Sequence, residues 1–431
     1  MKRLGAAITL LCLLVPGLAS AESKEGFDDE FSFEVEEFEK KALEWGGFAE
    51  LKWEHQDINQ SGALAGINLE RDKGSLDRIR TSLQLDGSYT REIFSMNWQL
   101  KGYVQGDDLG GDNDATAYQA YATLKPSSLI SASLGKKTYK WGKGYAWNPA
   151  GFINRPKDPN DPEEAMEGFI TGEVDLVKSF SGPLRTAALT TVVLPVSSEI
   201  NDDFGEQDHV NLAAKLYLLY RDVDIDFMAF TGNSRTTRFG ADFSTNLASN
   251  FEIHGEGAYI PELRKGILKE DGTVEQRTRT ATSWLLGFRY LTERDLTTIV
   301  EYYGNDGGLS HEEMVRFYDL ADLGQSGNSP ALSKAEQLVT KGYGRAQPGR
   351  RYLYLRMTQK EPFDILYLTP GVTCIGNLED GSFSLAPELS YTGFENWEMR
   401  VRFSWLEGGK DTEYGEKMNR NKLECRVRYF F

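Results

Sequence analysis

The chain has 431 residues, 40% of them hydrophobic and 12% aromatic, with 65 acidic residues against 48 Lys and Arg and a formal charge of -17. So much apolar and aromatic content excludes a disordered chain, and 43 irregularly spaced glycines exclude collagen. The acidic balance argues against a nucleic-acid partner, because phosphate contacts need a basic surface.

Residues 1–21 read as a secretory signal peptide. Lys2 and Arg3 form a positive start, Leu4 to Leu18 an apolar run, and Ala19-Ser20-Ala21 a cleavage site. Cys12 lies within that leader. Residues 22–45 follow as an acidic segment with helical spacing. Phe27, Phe31, Val35, Phe38, Ala42 and Trp45 fall on one face. The expectation is an amphipathic helix, lying in the periplasm or plugging what comes next. No later run is apolar enough for a membrane helix. Cys374 and Cys425 give no disulfide framework, and neither a metal site nor a covalent haem is expected.

From residue 46 to 431 the period becomes two. In 78–89, Ile79, Thr81, Leu83, Leu85, Gly87 and Tyr89 alternate with Arg78, Arg80, Ser82, Gln84, Asp86 and Ser88. The same pattern runs through 94–105 and 397–405. A strand buries such a face and a helix does not. About eighteen stretches (16–18) of this kind occur, many near the ~9–11 residues of a tilted bilayer-crossing strand. Short connections such as Arg221-Asp222 alternate with long ones at 57–76, 106–115, 141–167, 197–209, 262–279, 305–349 and 407–420. Connections 233–235 and Asp380-Gly381 are short where long ones are due. The fold class is therefore all-β: a transmembrane antiparallel barrel with short periplasmic turns and long extracellular loops in the outer-membrane lipid. Pro387 inside a strand deletes a ladder hydrogen bond, which predicts a bulge or a mistaken register there.

The last stretch places Leu423, Cys425, Val427, Tyr429 and Phe431 on one face. It resembles the C-terminal signal by which the barrel-assembly machinery recognises bacterial outer-membrane barrels, with Tyr429 and Phe431 as its aromatics. The overall plan is similar to that of eighteen-stranded porins and alginate-export barrels. The segment Trp141-Gly-Lys-Gly-Tyr-Ala-Trp-Asn-Pro149 before a long loop adds to that resemblance. It implies a passive outer-membrane channel.

Alternation also assigns the lumen. A basic wall is expected from Arg78, Arg80, Arg400, Arg402, Arg426 and Arg428, diluted by Glu50, Glu54, Glu398 and Glu424. An acidic wall is expected opposite, from Asp224, Asp226, Asp242, Glu252, Glu256 and Glu301. Together they would set a field across the pore. His254 faces inward between Glu252 and Glu256, and one strand cannot complete a catalytic site with it. The proline-rich loop 141–167 is expected to fold inward as a constriction. In loop 305–349, Ser310 with Glu313 forms a capping box and Ser329 caps a helix opened by Pro330, giving a lid over the outer mouth. The function expected is diffusion of small polar or anionic solutes, or export of an anionic polysaccharide. The alternatives are a non-conducting surface-interaction barrel and a barrel hydrolase.

Overall fold

The alternation of polar and apolar residues is realised as one sheet of eighteen antiparallel strands, closed by pairing of the first with the last. The computed structural model describes residues 42–67 and 73–431. The strands are β1 (Leu43–Ile58), β2 (Ser75–Arg91), β3 (Phe94–Asp107), β4 (Gly111–Leu124), β5 (Ile130–Lys137), β6 (Phe169–Ser179), β7 (Leu184–Val196), β8 (His209–Tyr220) and β9 (Val223–Thr231). The second half comprises β10 (Arg238–Ala248), β11 (Phe251–Leu268), β12 (Val274–Leu291), β13 (Leu296–Asn305), β14 (Arg351–Gln359), β15 (Leu368–Asn377), β16 (Phe383–Tyr391), β17 (Trp397–Glu407) and β18 (Asn419–Phe430). Among the described residues three α-helices lie outside the wall: α1 (Ala63–Ile67), α2 (His311–Gln325) and α3 (Ser329–Leu338).

Closure follows from the chain end. Phe431 exchanges backbone hydrogen bonds with Gly47 at 3.1 and 3.2 Å, and its ring centroid lies 6.4 Å from that of Trp45. No edge strand is left, so the backbone polar groups of the wall are paired within it, as a lipid environment requires. Leu51, Leu83, Val174, Leu216, Phe227, Leu286 and Val401 stand exposed on the outside. Arg221 and Asp222 both take positive φ, at 48° and 63°, the left-handed pair that matches the twist of a two-residue hairpin.

Several expectations change. Trp45, assigned to the N-terminal helical face, lies in β1; the rest of the segment 22–41 and the leader fall outside the described residues. The 106–115 loop is only 108–110, because β3 and β4 extend to meet each other. The 262–279 loop is largely strand: β11 and β12 continue to a turn at 269–273. Leu268 and Val274 at its tip pack against the helices of the 306–350 connection, and Lys265 pairs with Glu313, so its apolar residues do not follow the lipid-facing alternation. Its ladder shifts register between Ile260 and Leu263, beside Pro261, which lacks an N–H. Pro387 interrupts the β16–β17 ladder between the Leu385–Trp405 and Glu388–Arg402 pairs, as its missing donor dictates. The Ser310–Glu313 capping box is present on α2. The cap of α3 is Asn328, not Ser329; its side chain accepts from the Ala331 amide at 3.1 Å.

Candidate functional site: the inward loop and the charged lumen

The connection 138–168 runs into the barrel rather than away from it. Its first arm packs Tyr139, Trp141, Ala150, Phe152 and Ile153 against Phe169, Val192, Leu194, Phe204 and Phe230. Polar anchoring is more specific. The Glu256 carboxylate on β11 accepts hydrogen bonds from the backbone amides of Lys143 (3.0 Å), Gly144 (3.2 Å) and Ala150 (2.6 Å) and from the Asn148 side chain (3.3 Å). Glu301 on β13 accepts from the amides of Tyr145 (2.5 Å) and Ala146 (2.9 Å). Charge-assisted hydrogen bonds of this kind are about twice as strong as neutral ones. The amides converge because Gly142 takes φ +96°; a Cβ there would also come within 2.6 Å of the Glu256 carboxylate. The Trp141–Pro149 segment is thus a nest of amides closed on two carboxylates of the wall.

Neighbouring groups complete the anchorage. Asp226 on β9 and Asp242 on β10 face each other in register, and Lys143 reaches them at 3.0 and 4.0 Å. His254 on β11 meets Glu301 at 3.0 Å across Gly287 of β12. Gly287 makes that possible, because a Cβ would lie 2.5 Å from the imidazole and 2.8 Å from the Val300 carbonyl. Trp147 stacks on Tyr303 at 5.0 Å and touches Tyr352 and Tyr354. Lys157 donates to the Gly144 and Tyr145 carbonyls at 2.7 and 3.3 Å, and burial pushes its ammonium below the usual lysine range.

The second arm crosses to the opposite wall. Asp161 lies 2.7 Å from Arg400 on β17 and 3.4 Å from Arg426 on β18; Glu164 reaches Lys101 on β3 at 3.3 Å. Burial would raise the Asp161 carboxyl, but the guanidiniums of Arg400, Arg402 and Arg426 outweigh it and hold it below the usual aspartate range. The loop therefore spans the lumen, fixed to carboxylates on one side and arginines on the other.

This placement alters the acidic wall. Asp226, Asp242, Glu256 and Glu301 point inward, as alternation requires, but they are buried beneath the loop and turned to its amides and lysine. They do not face open lumen. Asp224 bonds to the Tyr217 hydroxyl, and Glu252 lies 3.6 Å from His254 and 3.4 Å from Ser244. His254 is fully enclosed.

The basic wall is a mixed ladder. Arg400 meets Glu424 at 2.8 Å, Arg402 meets Glu388 at 2.5 Å, Arg426 meets Glu398 at 2.7 Å, Arg428 meets Glu50 at 2.5 Å, and Arg78 meets Asp107 at 3.1 Å. Arg80 differs. Its guanidinium lies 3.9 Å over the Tyr103 ring, and its buried Nε has no partner among the described residues. Arg78, Arg80, Arg400, Arg402 and Arg426 line a cavity of about 500 Å³ bounded by the loop's Asp158, Asn160, Asp161 and Glu164; Arg428 lies outside it. Its lining carries seven basic and six acidic side chains. Sequence reasoning missed Glu388, which sits beside the doubtful Pro387, and Asp161, which belongs to a loop with no period to read.

The matches among solved structures concern fold. OccAB1 of Acinetobacter baumannii superposes with TM-score 0.53 at 10% identity, over 91% of this chain and 97% of that one. The BenF-like porin of Pseudomonas fluorescens Pf-5 gives 0.53 at 11%, over 90% and 98%. The chain has the eighteen-stranded outer-membrane porin fold. OccK2 of Pseudomonas aeruginosa, solved in complex with glucuronate, gives 0.52 at 12%, over 90% of this chain and 96% of that one. No family model matches the sequence, and no curated protein matches it.

Proposed function

We propose that the protein is an outer-membrane channel through which small polar or anionic solutes diffuse passively, with loop 138–168 as its constriction. The observation that carries this reading is the charged cavity of about 500 Å³ inside a closed barrel whose outer surface is apolar. A cavity of that size suits one small solute, in the range of ordinary ligand sites. It favours such solutes over a polysaccharide chain. With seven basic and six acidic side chains in the lining, anion preference is modest and rests on Arg80, the lining arginine without a carboxylate partner. The leader 1–21 directs export, and Tyr429 and Phe431 serve recognition by the assembly machinery. Swelling of liposomes containing the purified protein tests the reading. Swelling in isotonic glucuronate and in small neutral sugars is expected. Liposomes that stay closed to both would overturn it.

A further inference from the structure

A second, smaller cavity opens at the periplasmic end of the lumen. It measures about 390 Å³ and is formed by the periplasmic ends of β1, β2, β3 and β4. Two rows of inward side chains build its wall. Asp86 on β2, Gln99 on β3 and Gln119 on β4 stand opposite one another in register, and Ser88 and Asn97 stand opposite each other in the next row. Gly46 on β1 pairs with Asp86 and adds no side chain, which leaves the recess open on that side. Asp86 lies roughly 20 Å along β2 from Arg80 of the larger cavity, at about 3.3 Å per residue.

Among the described residues the lining carries two carboxylates, Asp86 and Glu44, and no basic side chain. In the row between the two cavities, Lys101 faces Gln84 and is bonded to Glu164. The recess therefore differs in chemistry from the arginine-bearing cavity above it. Its central amide is also held in one orientation. Asp86 accepts from Gln84 Nε2 at 3.0 and 3.1 Å and from Gln99 Nε2 at 2.8 Å. A carboxylate only accepts, so it turns the Gln99 amide with its NH2 toward Asp86 and its Oε1 away. That Oε1 is buried and has no hydrogen-bond partner among the described residues. An unpaired buried acceptor is unfavourable, and a donor from a bound molecule relieves it. The side chains of Ser88, Asn97 and Gln119 likewise make no hydrogen bond among the described residues.

These groups offer donors and acceptors side by side. A carboxylate solute only accepts, and it would meet two like charges with no cation to offset them. An ammonium only donates, which leaves the NH2 groups of Asn97 and Gln119 unused. A hydroxyl does both, so a set of hydroxyls on one small molecule matches the amides. The volume suits a solute of monosaccharide size. We infer that this recess is a second binding site, taking a neutral polyhydroxylated solute of monosaccharide size on Gln99, Asn97 and Gln119. Its place on a solute's path rests on the channel reading, whereas binding at the site does not.

The experiment is calorimetric titration of glucose, choline and acetate into the full-length protein in a polyoxyethylene detergent, which has no sugar head group, alongside planar-bilayer recordings in KCl. Wild type is expected to bind glucose about tenfold more tightly than choline or acetate. The N97A/Q119A variant is expected to lose about tenfold of that affinity. Should it fail to form a heat-modifiable barrel, Asn97→Ala alone is expected to weaken glucose binding about threefold. Wild type that binds none of the three, or variants that bind glucose unchanged, would overturn the site. Choline or acetate bound ahead of glucose would overturn its assignment to hydroxyls. A wild type that binds glucose but passes no current would leave the site standing and remove the channel reading.

Discussion

Glu256 and Glu301 hold the constriction through backbone amides, so their charge matters less to a passing ion than to the loop. Replacing both by alanine leaves five loop amides and the Asn148 side chain without these acceptors. The cost is about 3–5 kcal/mol, as for other broken buried charge contacts. The variant is expected to unfold at lower denaturant and to pass larger single-channel currents; equal currents would separate the loop from the conduction path. Gly287→Ala is expected to be more disruptive than its size suggests, because its Cβ collides with the Val300 backbone as well as with His254. A variant as resistant to denaturant as wild type would contradict the His254–Glu301 geometry. At this scale the sequence told direction but not surroundings. Alternation assigned Asp226, Asp242, Glu256 and Glu301 to the inner face. Nothing in the period revealed that a loop would cover them, because loop amides leave no signature in sequence.

Among the elements, loop 138–168 is tied to the wall opposite its anchoring carboxylates by Asp161, on Arg400 and Arg426, and by the exposed Glu164, on Lys101; Asp161 is the more enclosed of the two. The folded Asp161 carboxyl is held below the ordinary aspartate range of about 3.9. A depressed carboxyl contributes stability above its unfolded value and loses it as pH falls through the folded one. Conductance is therefore expected to stay level from pH 7 to 5 and to rise only below about pH 4. Asp161→Asn removes the charge, and its conductance is expected to be higher at neutral pH and to lack the acid rise. An unchanged acid rise in that variant would assign it to another group. The final strand is the other decisive element. Deleting Phe431 removes two backbone hydrogen bonds to Gly47 and the contact with Trp45. Wild-type amounts of heat-modifiable barrel in such a strain would contradict its role in closure and assembly. Strands were legible wherever lipid faced one side, since lipid enforces alternation. The extensions of β3, β4, β11 and β12 were hidden because lipid faces neither side of them: the β3–β4 ladder holds without an apolar face, and the β11–β12 tip packs on the helical connection 306–350. Asn328 was passed over as a cap because Ser329, next to it, is an equally good capping type.

For the whole molecule, the expected transverse field gives way to a bridged lumen. One wall anchors the loop, and the other is an alternation of arginines and carboxylates. Substituting Arg400, Arg402, Arg426 and Arg428 together by serine would therefore do more than remove positive charge. It would unmask Glu50, Glu388, Glu398 and Glu424, their present partners. Selectivity should move strongly toward cations, and the shift should shrink in 1 M salt, where screening acts over about 3 Å. Arg80→Ser should lower anion preference without unmasking any carboxylate. The measurement that tests the channel most directly is the single-channel conductance and reversal potential of the full-length protein in a planar bilayer under a low-salt KCl gradient. The account predicts discrete ohmic steps with a modest anion bias that the quadruple arginine variant reverses. A bilayer that stays silent, or a reversal potential identical in wild type and variant, would contradict it.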